Sequence, residues 1–178
     1  MASEHLAALK DMALCRALSA AELEAIAAIV DTRDLPAGGE LFREGEAGDA
    51  LYMVVKGEVD IVKRGPSGER SLARLGPGSV LGEMSLITSE ARSATARATA
   101  DTRVLRVPAQ RFRARMEGGS AAALKMTAAI AEVLAHRLAN MNGVVLELAE
   151  KTVNPAARSP MKTQDLAELH RKMQVWSI

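Results

Sequence analysis

The chain has 178 residues, 48% of them hydrophobic, and 23 basic against 22 acidic side chains give a formal net charge of +1. That is enough for one domain with appendages and a sizeable core, with no need of disulfides or a structural metal. The balanced charge removes the global electrostatic case for nucleic acid or a membrane surface, and four aromatic residues (Phe42, Tyr52, Phe112, Trp176) offer little on which single-stranded bases could stack.

The N-terminus is too charged for a signal peptide, with Glu4, His5, Lys10, Asp11 and Arg16 breaking every apolar stretch. No run approaches the ~18 apolar residues of a membrane span. A single cysteine, Cys15, suits a reducing compartment, so a soluble cytoplasmic protein is expected, with 33 alanines helping to close-pack its core.

The first thirty residues read as helix. Ser19-Ala-Ala-Glu22 is a capping box, flanked by Leu18 and Leu23 at staple positions, and opens a helix predicted to run to about Val30. Pro36-Ala-Gly-Gly39 closes this section. From about Glu40 to Val107, short apolar runs alternate with turn residues, the pattern of a barrel or sandwich. Strands are predicted at 51–55, 59–62, 71–75, 94–100 and 102–107. Pro108 fits the first turn of a new helix, which Gly118-Gly119 breaks and Ser120 restarts.

A long helix follows, about Ala121 to Lys151. Leu124, Thr127, Ala131, Leu134, Leu138, Met141, Val145 and Leu148 recur along it at spacings of three and four. Such a stripe either packs on its own β-domain or forms a homodimer seam. The stripe is longer than a small β-domain covers, which favours a homodimer through 121–150. Asn154 to Pro160 reads as a linker. The tail beyond it is either a solvated basic segment or a partner-docking helix carrying Leu166, Leu169 and Met173, with Trp176 beyond.

Chemistry concentrates at Leu81-Gly-Glu-Met-Ser-Leu-Ile87, a strand end joined to one helical turn, and at Arg92-Ser-Ala-Thr95 nine residues after Glu83. Gly82 followed by unpaired amides suits an anion, and Arg92 adds a fork of donors matched to two phosphate oxygens. A carboxylate repels phosphate, so Glu83 calls for a neighbouring donor such as a sugar hydroxyl. No Gly-Lys-Ser/Thr loop for a nucleoside triphosphate is present, nor a Gly-x-Gly-x-x-Gly dinucleotide fingerprint. From these residues alone, a ligand with one compact charge and a plain surface Glu–Arg pair remain equally open.

The stretch resembles the phosphate-binding cassette of the cyclic nucleotide-binding domain family, which includes the bacterial catabolite activator, regulatory subunits of cAMP-dependent protein kinase and cyclic-nucleotide-gated channels. Leu35-Pro-Ala-Gly38, Leu41-Phe-Arg-Glu-Gly45 and Gly48 to Glu58 look like the family's opening strands and glycine turns, so the resemblance covers roughly residues 11–150. Two positions depart from it. Leu81 replaces a common aromatic, and Ala91 stands where many members have proline, which leaves the loop less preorganised.

The resemblance implies a mostly β fold with flanking helices (α+β): a jelly-roll β-roll at about 35–107, a helical segment before it and C-terminal helices at about 108–150. Residues 1–10 then form an N-terminal extension, and 151–178 a linker and short tail. Glu83 would take the ribose 2′-hydroxyl and Arg92 the cyclic phosphate. Amides near Gly82, Glu83 and Met84, and near Ser93 and Ala94, would complete the cradle. Met141 and Asn142, with Arg137 and Asn140 nearby, are the expected base contacts from the long helix. Ser93, in place of a cGMP-favouring threonine, leans the expected ligand to cAMP, with cGMP possible.

The function expected is a sensor that signals to an unidentified effector protein through its C-terminal helix. The alternatives are a ligand-independent β-roll interaction or dimerisation module, or a cyclic dinucleotide or cGMP receptor. The 27 residues after Lys151 are too few for a helix-turn-helix reading head, so DNA is not an expected partner, and neither is a membrane. His5, His136 and His170 all lie outside the β region, so neither a metal site nor an enzyme is expected.

Overall fold

The computed structural model describes residues 2–66, 68–88 and 90–153. The expected linker, the C-terminal tail with Leu166, Leu169 and Met173, and Trp176 lie outside the described residues.

Helix α1 spans Ala2–Lys10, a 3-10 turn spans Ala13–Cys15, and α2 spans Ala20–Ala27. The capping box forms: Glu22 N donates to Ser19 Oγ at 3.4 Å, and Ser19 N donates to Glu22 Oε2 at 2.7 Å. Two amides near the start of α2 that lack an intrahelical acceptor are thereby satisfied. α2 stops at Ala27 rather than Val30. The chain there tightens, with Ile29 N donating to Ile26 O and Val30 N to Ala27 O, which buries both Ile29 and Val30. α1 packs onto the rest of the chain through Leu9, which is fully buried in one core with Ile26, Phe112 and Met126.

Eight antiparallel strands follow: β1 (Asp31–Leu35), β2 (Glu40–Phe42), β3 (Ala50–Lys56), β4 (Val59–Gly65), β5 (Gly68–Leu75), β6 (Val80–Leu81), β7 (Thr95–Ala98) and β8 (Thr102–Pro108). They form two four-stranded sheets, ordered β1-β8-β3-β6 and β2-β7-β4-β5, which make the β-roll. The roll begins at Asp31 and not at 35. β1 lacks an apolar alternation because three of its five side chains (Thr32, Arg33, Asp34) face solvent, and its order comes from full-length pairing with β8, Asp31 opposite Arg106 through Leu35 opposite Thr102.

β3 is the strand on which both cores depend. Ala50, Tyr52 and Val54 point into the roll with Leu75, Ala96 and Val104, while Leu51 and Met53 face the helical layer with Ile26 and Phe112. Alternate side chains of one strand thus enter two cores, each large one contributing about 1.5–3 kcal/mol of burial. Gly57, at φ +86°, turns β3 into β4, and a Cβ there would run into the backbone of Asp101 and Thr102.

Pro108 precedes α4 (Ala109–Glu117), and Ser120 precedes α5 (Ala121–Val153). α5 packs through Ala122, Ala123, Met126 and Ile130, which are buried. The expected seam is covered in part: Thr127 and Leu134 are half-buried, Leu134 against the helical core, while Leu124, Leu138, Met141 and Val145 are exposed. No helix among the described residues is long and apolar enough to cross a membrane.

Candidate functional site

β6 pairs with β3, Leu81 opposite Tyr52, buries Val80 and Leu81 in the two cores, and delivers the chain to Gly82. There φ is +72°, a left-handed turn that glycine adopts without strain. Glu83 leads into α3 (Met84–Ile87), the single helical turn expected from the sequence. Despite its charge, Glu83 is only 5% exposed.

Arg92 is 4% exposed and lies just before β7. Its main chain is stitched to the loop after β2: Gly45 N donates to Arg92 O at 2.9 Å, and Arg92 N donates to Glu46 O at 2.8 Å. The guanidinium donates from Nη2 to Asp49 Oδ1 at 3.0 Å and Ala50 O at 2.8 Å, and from Nη1 to Gly82 O at 3.3 Å. Its carbon sits 4.2 Å from the Phe42 ring centroid and 5.6 Å from that of Tyr52, so two of the chain's few aromatics steady this cation. Any Cβ on Gly82 would collide with Arg92 Nη1. The glycine is needed by the arginine as well as by the turn.

Asp49 links this guanidinium to others. Arg106 Nη2 donates to its second oxygen at 2.7 Å, Arg106 Nη1 reaches Asp31 at 3.2 Å, and Arg111 of α4 meets Asp31 at 3.0 Å. Desolvation pushes the Asp49 carboxyl up, but the Arg106 hydrogen bond and the charges of Arg106 and Arg92 outweigh it and hold the group below its ordinary value.

Glu83 is met from the other side by α5. Arg137 Nη1 donates to Glu83 Oε1 at 2.5 Å and Nη2 donates to Val80 O at 3.0 Å. Both side chains are nearly buried, so each compensates a charge that would be costly alone.

Among the residues singled out from sequence, the structure brings Gly82, Glu83 and Arg92 together. Ala94 is buried beside them, while Met84 and Ser93 are exposed. Met141 and Asn142 are not brought to the cluster. Both are exposed about one helical turn beyond Arg137, and Arg137 is the α5 side chain that reaches Glu83. Asp49, Phe42 and Tyr52 were not singled out as site residues, since their role depends on where the strands bring Arg92. Arg137 was expected only near the base contacts; that it lies on the packed side of α5 with Met126 and Ile130, where a nearly buried cation needs an acid, depends on how the helix packs.

Among the described residues, surface clefts include one of about 180 Å³ by Leu86, Met116 and Thr127 and another of about 570 Å³ by Leu35, Lys56 and Asp101. Among the described residues no cluster of three or more His, Cys, Asp or Glu could hold a metal ion.

Comparison with known proteins matches residues 32–118 to the Cyclic nucleotide-binding domain family. The chain is 39% identical over 98 residues to a Cyclic AMP receptor protein of Thermus thermophilus, an alignment covering 54% of this chain and 45% of the relative. The chain thus spans about half the length of that curated relative. The crystal structure of Thermus thermophilus Catabolite Activator Protein superposes with a TM-score of 0.69 at 32% identity, over 76% of this chain and 62% of that one. A Cyclic nucleotide-binding-like protein from Brucella abortus superposes with a TM-score of 0.56 at 32% identity, over 64% of this chain and 98% of that one. With the β-roll, the Gly82–Glu83 turn and the buried arginine all in place, the chain belongs to the cyclic nucleotide-binding domain family.

Proposed function

We propose that the chain is a cyclic nucleotide sensor, with cAMP as its favoured ligand, that signals to a partner protein through movement of α5. The observation that carries this reading is the pairing of two nearly buried groups: Glu83 is held by Arg137 of α5, and Arg92 by Asp49. Each pairing can be exchanged for one part of the same small molecule. Glu83 would accept a hydrogen bond from the ribose 2′-hydroxyl, and Arg92 would offer its donor fork to the two free oxygens of a cyclic phosphate. Gly82 has no side chain to obstruct the approach, and amides of Gly82, Glu83, Met84, Ser93 and Ala94 would complete the cradle.

Family membership supports the ligand class, and the Thermus relative is itself named a cyclic AMP receptor. The output follows from the competition. Arg137, on releasing Glu83, would free α5 to shift, carrying Met141 and Asn142 toward the base and altering the surface seen by an effector protein. For this to be a switch, ligand must bind the two α5 positions with different affinity. The exposed Leu138, Met141 and Val145 face supports a homodimer through α5.

Calorimetric titration with cAMP, cGMP and a cyclic dinucleotide tests the reading. cAMP should bind most tightly, and Arg92→Ala should cost about 1.5–3 kcal/mol, the scale of a charge-assisted hydrogen bond. Equal affinity in wild type and variant would remove the assignment of Arg92. A ligand-independent dimerisation module is the second reading, favoured by the fact that Glu83 and Arg92 already have protein partners. Failure of all three nucleotides to bind, with a dimer retained, would select it.

A further inference from the structure

The cyclic nucleotide reading depends on amides as well as on Arg92, and an amide is useful only if its peptide plane is fixed. In a trans peptide the C=O of one residue and the N–H of the next point in opposite directions, so pinning the carbonyl aims the amide. Two consecutive planes after Arg92 are pinned in this way. The Arg92 carbonyl is held by Gly45 N at 2.9 Å, which sets the Ser93 amide. The Ser93 carbonyl is held by a side chain, Lys63 Nζ of β4 at 2.6 Å, which sets the Ala94 amide.

Lys63 is itself braced. Glu44 Oε1 lies 3.0 Å from its Nζ, and the other oxygen of Glu44 accepts Arg64 N at 3.2 Å, so the carboxylate is anchored to the main chain of the strand that carries the lysine. Glu44 N in turn donates to Thr95 Oγ1 at 3.0 Å, which closes the loop after β2 onto the start of β7. The Lys63 hydrogen bond, followed by the Arg64 amide, holds the Glu44 carboxyl below its ordinary value. Ala91 supplies no proline to restrict the approach to this turn. The order of the Ser93–Ala94 peptide must then come from such contacts.

We propose that Lys63 is a positioning residue for the anion cradle, fixing the Ser93–Ala94 peptide so that the Ala94 amide is aimed before ligand arrives, with Glu44 holding the lysine in place. This rests on the cyclic nucleotide reading above. Preorganisation raises affinity by removing the ordering cost from the binding step. Lys63 and Glu44 are partly exposed, and a surface pair of this kind contributes little to folding stability. The effect should therefore appear in binding while the fold holds.

The test is calorimetric titration of cAMP into wild type, Lys63→Met, Lys63→Arg and Glu44→Gln, with thermal unfolding and amide hydrogen exchange on each. Lys63→Met should weaken binding about threefold to tenfold, speed exchange of the Ala94 amide in the free protein, and leave the melting temperature nearly unchanged. Lys63→Arg keeps a donor and should restore most of the affinity. Glu44→Gln separates positioning from simple attraction between a lysine and a phosphate. Removing a negative charge near the cradle would tighten binding if charge alone mattered, whereas a loosened brace weakens it. Wild-type affinity in Lys63→Met, unchanged Ala94 exchange, or tighter binding by Glu44→Gln overturns the proposal. Absence of cAMP binding to wild type instead overturns the reading on which it rests.

Discussion

Arg137 of α5 and Glu83 of the turn before α3 form a nearly buried ion pair at 2.5 Å that ties the middle of the longest helix to the residue proposed to hold a sugar hydroxyl. Under the proposed function this one contact would serve both helix placement and site occupancy, and variants at the two residues separate the roles.

Arg137→Met removes the cation paired with the nearly buried Glu83 and should destabilise the fold by about 3–5 kcal/mol, the range for breaking a buried pair. Adding Glu83→Gln removes the stranded charge and should recover part of that loss. Denaturant unfolding of the two singles and the double gives the coupling energy. Additive losses would show that the pair is not coupled.

Gly82→Ala introduces a Cβ into the position of Arg92 Nη1 at a backbone φ of +72°. The left-handed conformation alone should cost about 1–2 kcal/mol. Displacement of the guanidinium should also weaken cyclic nucleotide binding. A variant that loses stability but keeps full affinity would show that Arg92 does not need its present seat.

Acid should loosen the helical layer through Glu22. Its carboxyl is lowered from 4.5 to about 2, chiefly by the hydrogen bond from Lys125 of α5 and next by the Ser19 amide. A depressed folded-state value means the contribution is complete above the unfolded value and is lost as pH falls toward 2. The melting temperature of wild type should exceed that of Glu22→Gln at pH 7, with the gap closing between about pH 4.5 and 2. A gap independent of pH would assign the stabilisation to something other than this carboxylate.

Leu138 stands on the exposed seam of α5. If that seam joins two copies, wild type should sediment as a dimer and Leu138→Glu as a monomer with an unchanged circular dichroism spectrum. A monomeric wild type at micromolar concentration would remove the homodimer.

The parts legible in sequence are those whose signal is local. The Ser19–Glu22 box, the apolar runs of β3 to β5 and β8, and the Gly82–Glu83 turn need only their neighbours in the chain to be recognised. β1 was hidden because Asp31-Thr-Arg-Asp carries no alternation; its pairing with β8 and the ion pairs of Arg103 and Arg106 hold it in place. Asp49 lay in plain view beside Gly48, yet its meaning depends on a guanidinium arriving from 43 residues away. On α5 the repeat read from sequence runs along the border between the packed side, which carries Arg137, and the exposed one, a distinction set only by how the helix is rotated against the roll.

Arg137 sits near the middle of α5, which gives the distal half of that helix leverage. From Arg137 to Val153 the helix extends about 24 Å, so a tilt of only 10° about this fulcrum sweeps its end through about 4 Å. A displacement too small to notice at the carboxylate becomes, at the far end, comparable to the width of a side chain. If α5 moves as proposed, the 33-residue helix would act as a mechanical amplifier whose gain is set by its length beyond a single arginine.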